Sequence, residues 1–174
     1  MRYLLPLVLW LLAACDRPAQ PDEPTGSISL SWVGSLTGEM KTTTVGRWCE
    51  SDSLLEMLAL DGDVGLGLSI LGVDTTLRRG QHPVLSGAIS ANWRPLALGA
   101  FRWVSDSALK GFEATGGNVN ITSSDSGFVS GSLDLRLRLS GGFDTLRLQG
   151  EFDRVPVLPA IGTCGRIFKP KKTS

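Results

Sequence analysis

The sequence predicts one all-β domain, a single antiparallel sandwich or a partly open up-and-down barrel of about eight or nine strands. Three observations predict it. The chain of 174 residues carries 21 glycines and few helix-favouring runs, a composition of pleated strands joined by tight turns. Apolar residues recur with a period of two in several separate stretches, which is the mark of strands buried on one face. Clusters of Gly, Asp, Asn and Ser fall between those stretches, where hairpins need them.

The chain opens with a different kind of segment. Arg2 precedes an apolar run over residues 3–12, and small residues follow, the charged, apolar and small order of a secretory signal. A membrane-spanning helix needs roughly 20 apolar residues, and this run is shorter and contains Pro6. Leu12-Ala13-Ala14-Cys15 resembles the lipobox of bacterial lipoprotein precursors. That resemblance implies a diacylglycerol on the Cys15 thiol, removal of residues 1–14, and a mature chain held in the cell envelope by more than one acyl chain, enough for lasting attachment. Asp16 resembles the inner-membrane retention signal of some bacteria; other lineages ignore it, so inner and outer membrane, and periplasmic face and surface, stay open.

Removing the leader leaves residues 15–174, the length of one domain. Basic and acidic residues number 17 each, and only Arg2 leaves with the leader. A neutral chain has no electrostatic reason to seek nucleic acid. With Cys15 assigned to lipid, the remaining cysteines of the three, Cys49 and Cys164, form a matched pair for an oxidising compartment. Such a bridge would close a loop of about 115 residues, and chain-entropy models assign it roughly 4 to 5 kcal/mol.

Residues 15–25 hold the acylated cysteine and a tether with three prolines and four charges, extended and solvated. The domain runs from 26 to 168. Ile28, Leu30 and Trp32 alternate with Ser27, Ser29 and Ser31 in a first strand; residues 34–39 turn the chain, and residues 40–49 form its antiparallel partner. Residues 54–60 and 64–71 flank Asp61-Gly62-Asp63 as a hairpin; calcium ligands at loop spacing are missing. The segment 54–60 carries helical propensity as well. Residues 78–84 read as a loop entering a strand at Val84 or Leu85. Residues 97–104 alternate again, with Phe101 and Trp103 on one face and Arg102 on the other. Residues 106–111 suit one helical turn, with N-cap residues before it and Gly111 at its end.

The last third forms a meander. Val119 and Ile121 share a face, a five-residue loop over 123–127 follows, and equal facing sets Ile121 opposite Val129. Residues 129–139 alternate between inward Leu and outward Ser130, Ser132, Asp134, Arg136 and Arg138. Residues 145–152 return, after which Val155-Pro156-Val157-Leu158-Pro159 leaves the sheet, and residues 169–174 form a basic tail. From Gly117 to Phe152 the turn, Val-Ser-Gly, alternating strand and closing Gly-x-Phe resemble the end of several families of small uncharacterised bacterial lipoproteins, which implies export and an all-β fold without naming an activity.

Catalytic signals are sparse. The only histidine, His82, precedes a proline and reads as a surface residue in a loop. A Gly-x-Ser-x-Gly elbow, phosphate loops, zinc spacings and dinucleotide fingerprints are missing, so the sequence points away from an enzyme and calls for no metal or cofactor. Trp93-Arg94 and Arg102-Trp103 have the composition with which binders hold sugars or apolar ligands, although Trp in a half-buried sheet also packs as core. Two functions follow as expectations. One is a non-catalytic envelope lipoprotein that acts by interaction or structure, with a filled core. The other is a barrel-type binder of a small apolar or sugar-like ligand, with a cavity flanked by Trp or Phe and an Arg.

Overall fold

A computed structural model describes residues 25–72, 77–85, 96–105 and 107–160. The leader, Cys15, Trp93, Arg94, Cys164 and the basic tail lie outside the described residues. Ten strands occur in chain order: β1 (Gly26–Gly34), β2 (Gly38–Thr44), β3 (Gly46–Cys49), β4 (Leu54–Asp61), β5 (Val64–Leu71), β6 (Gly80–Pro83), β7 (Leu96–Ser105), β8 (Ala108–Asp125), β9 (Phe128–Leu139) and β10 (Thr145–Pro159). Seven of them, β10-β3-β4-β5-β7-β8-β9, close on themselves as a barrel, with β1, β2 and β6 added outside the ring. The sequence reading favours a sandwich narrowly over a partly open barrel; the fold is a closed barrel.

Two long strands make closure possible. β8 spans 18 residues and β10 spans 15, and each is long enough to serve two neighbours along one edge while β9 runs along the other. Residues 146–153 of β10 pair with β1, and residues 157–159 pair with β3. Residues 108–113 of β8 pair with β7, and residues 118–121 pair with β6. The β3–β10 pairing is parallel, unlike every other named strand pair. The expectation that residues 155–159 leave the sheet is therefore corrected. A bulge after Phe152 restarts the ladder, and this continuation is what shuts the barrel.

The helical turn expected at 106–111 is also corrected. Ala108 already pairs with Ser105, and β8 runs on as strand. The helical turn of the described residues is a 3-10 segment at Glu50–Asp52, ended by Ser53 in the left-handed region at φ 51°. The β8–β9 hairpin differs from expectation too. Its loop is Ser126-Gly127, both with positive φ at 52° and 78°, the conformation of a type I′ turn. Ile121 then lies opposite Gly131, and Val119 opposite Leu133.

The reason is a pair of bulges in β8. Thr115 and Thr122 are the extra residues, and each gives its hydroxyl hydrogen to the facing carbonyl, Arg136 O at 3.2 Å and Ser130 O at 3.1 Å. Each bulge reverses which parity faces inward, so Phe112 and Ala114 share the interior with Val119 and Ile121 although their numbering differs in parity.

Inside the barrel the strand faces meet as one cluster that includes Leu30, Leu55, Leu68, Ile70, Phe101, Phe112, Val119, Leu135, Leu148 and Phe152. Trp32 packs on Phe101 with ring centres 5.0 Å apart, and Phe101 on Phe112 at 6.2 Å. Both pairs are tilted, the arrangement aromatic quadrupoles favour.

Candidate functional site: the polar outer face

With the interior occupied by side chains, the chemistry of the barrel lies mainly on its outside. Strands β1, β10, β9 and β8 present their outward positions in two straight rows set by register. Ser29, Glu151, Ser132 and Asn120 are successive cross-strand partners; so are Ser31, Gln149, Asp134 and Asn118. Together they line a shallow hollow of about 600 Å³. Small serines on the outer strands and half-buried asparagines on β8 leave the floor low, and Gly150 on β10 also lines it.

One corner of the hollow is fixed electrostatically. Arg147 grips Asp134 with two parallel hydrogen bonds, Nε to Oδ1 at 3.0 Å and Nη2 to Oδ2 at 2.6 Å, and Gln149 Nε2 adds a third at 3.3 Å. The Arg147 hydrogen bonds, more than the nearby charges, hold the Asp134 carboxyl below the usual carboxylate range and raise Arg147 in turn. A forked pair of this kind is directional, so Asp134 is an ionised, oriented acceptor. Beside it Gly117, Arg136 and Arg147 border a second recess of about 410 Å³. The hollow thus offers amide and hydroxyl groups that both donate and accept, one free carboxylate at Glu151, and guanidinium groups at one end.

Of the residues singled out from sequence, Arg102 and Trp103 do not converge. Arg102 is exposed on the outer face of β7, while Trp103 is partly buried against the core from the opposite face. Neighbours in one strand point apart, so the Arg102-Trp103 pair builds no single site. Trp93 and Arg94 lie outside the described residues. Cys49 is 3% exposed at the end of β3.

His82 is corrected from a surface loop residue to a buried one. It lies in β6 opposite Val119, 1% exposed, with Nδ1 donating to Gly80 O at 3.1 Å and Nε2 without a partner. Burial lowers its pKa from the ordinary value of 6.5. Trp32 Nε1 is likewise buried without a partner. Both polar atoms are thus buried without a hydrogen-bond partner, which carries an energetic cost.

Among the described residues no group of three or more His, Cys, Asp or Glu side chains is arranged to hold a metal ion, and no helix is long and apolar enough to cross a membrane. Fold and face together define a class: a closed, side-chain-filled β-barrel with a hydrogen-bonding outer hollow. Comparison of the chain with protein-family models, with curated protein sequences and with solved structures finds no match.

The hollow was legible only in part. The outward Ser, Asp, Asn, Gln and Glu positions follow from alternation, Asn118 and Asn120 opposite Val119 and Ile121 among them, but their assembly depends on which strands are neighbours and in what register.

Proposed function

We propose that the protein is an exported, lipid-anchored module of the bacterial cell envelope that works without catalysis and binds its partner on the polar hollow of β1, β10, β9 and β8. The observation that carries this reading is the contrast between the two sides of the sheet. The interior is occupied by one continuous apolar cluster, whereas the outer hollow offers eight polar side chains in two register-aligned rows. Such an array suits a ligand recognised by many hydrogen bonds rather than by burial.

Membrane attachment rests on Leu12-Ala13-Ala14-Cys15. The Cys49–Cys164 staple draws support from the chain path. Pro159 lies beside Trp48, Ala160 N donates to Trp48 O at 2.9 Å, and Cys164 follows five positions after Pro159.

The closed barrel keeps an internal ligand as a second reading, favoured by the unpartnered Trp32 Nε1 and His82 Nε2. One experiment separates the two. The mature chain carrying Cys15→Ala is screened by thermal shift against oligosaccharides, peptides and fatty acids, alone and with Ser132→Trp, which places a bulky ring in the hollow. A shift lost with Ser132→Trp supports the hollow. A shift that persists in that variant transfers the binding to the interior, and no shift with any class leaves the structural role without binding.

A further inference from the structure

The opposite arc of the barrel carries a different surface. In β4 the inward positions Leu55, Met57 and Ala59 are already in the core, yet Leu58 and Leu60, which point outward, are 61% and 44% exposed. Register sets Leu58 beside Gly67 and then Ala100, and Leu60 beside Gly65 and then Arg102. Small residues on β5 and β7 next to leucines on β4 make a trough of about 390 Å³, lined by Val45, Arg47, Glu56, Leu58, Gly67 and Ala100. At Gly67 a Cβ would meet nothing closer than Ala100 O at 3.9 Å, so the trough floor is open space. Its lining charges balance, with Arg47 standing against Glu56.

The point where the chain leaves the domain says what covers this face. Gly26 pairs with Thr44, and Thr44 Oγ1 donates to Leu58 O at 3.0 Å. Thr25 therefore departs one strand away from the trough, beside Val45. Residues 16–25 separate it from Cys15, a span of at most about 35 Å at full extension. An acylated Cys15 would hold the trough within that reach of the bilayer, where lipid is a concentrated apolar partner.

We propose that the trough between β4, β5 and β7 seats the domain on the bilayer to which Cys15 is anchored, with Leu58 and Leu60 among the acyl chains. This rests on the lipid-anchor reading. Contact is apolar rather than electrostatic because the rim charges cancel, so it holds on zwitterionic lipid and in high salt. The β9–β10 hollow, across the barrel from β4 and β5, then faces the aqueous side.

The test uses the acylated mature protein in phosphatidylcholine vesicles, with a bimane fluorophore attached at Leu58→Cys or, as reference, at Ser132→Cys, and with brominated or ordinary acyl chains. The expected result is several-fold stronger quenching by brominated chains at position 58 than at position 132, unchanged in high salt and reduced to the reference level by Gly67→Glu, which leaves the circular dichroism spectrum unaltered. Vesicle flotation without selective quenching at 58, or quenching indifferent to Gly67→Glu, overturns the trough alone. Protein that carries no lipid on Cys15 and does not float overturns the anchor reading and the trough proposal with it.

Discussion

His82 is buried in β6 against Val119, with one ring nitrogen satisfied and the other not. Its neutral form is favoured in the fold because burial lowers its pKa from 6.5, so the unfolded chain takes up a proton first as the pH falls. Stability is then complete above about pH 6.5 and declines below it. Urea midpoints measured between about pH 7.5 and pH 5 should fall for the wild type and fall less for His82→Leu. Gly131 tests packing at the same scale. A Cβ there would lie 2.3 Å from Asn120 O and 2.6 Å from the Phe152 ring, so Gly131→Ala should cost about 1–3 kcal/mol by overpacking, read as a lowered urea midpoint. Neither residue announces its environment in sequence. His82 looks like a loop residue because Pro83 follows it, and Gly131 looks like one more weak point in a strand.

At the scale of the element, the bulges decide how β8 is read. Thr115 and Thr122 each supply a hydroxyl that bonds the opposite strand where the ladder is interrupted. Ser130 plays the matching part on the β10 side: it donates to Asp153 Oδ1 at 2.9 Å and accepts from Arg154 N at 2.9 Å across the bulge after Phe152. Thr115→Val and Thr122→Val should each cost about 1 kcal/mol, and the double variant should show their sum, since the sites are separate. Denaturant unfolding of the four proteins in that cycle checks it. The Ser126-Gly127 turn gives a cleaner case. A Cβ on Gly127 would meet nothing within 4 Å, yet its φ is 78°, so the penalty of Gly127→Ala is conformational, about 1 kcal/mol.

For the whole molecule, closure depends on the last strand reaching β3. The proposed Cys49–Cys164 staple would lie just beyond that junction in the chain, and if it forms, Cys49→Ala with Cys164→Ala lowers stability by about 2–5 kcal/mol. Thermal unfolding of the oxidised and the doubly substituted proteins measures the loss, and alkylation of both thiols without reductant in the exported wild type would show that no staple exists. The Cys15→Ala variant should leave the membrane fraction while its β domain unfolds at the wild-type temperature. Membrane attachment that persists in this variant would overturn the lipid anchor. The expected fold class and the three-strand meander of β8, β9 and β10 follow from alternation alone, because that pattern spans the most residues there.

What the sequence determined by itself is which stretches are strands, which of their faces avoid water and where several turns fall: Ile28, Leu30 and Trp32 against their serines, the Asp61-Gly62-Asp63 hairpin, the leucines of β9. Those are local consequences of burial on one side of a pleated chain. Tertiary structure alone decided the neighbours. The parallel meeting of β3 and β10, the insertion of β1 and β6 along the long strands, and the burial of His82 all join residues far apart in sequence. A period of two reports that a face is covered and carries no record of what covers it, and each bulge reverses the period without leaving a distinctive residue. The polar hollow and the apolar trough are therefore products of register, assembled by barrel closure from side chains that look like ordinary strand surface one strand at a time.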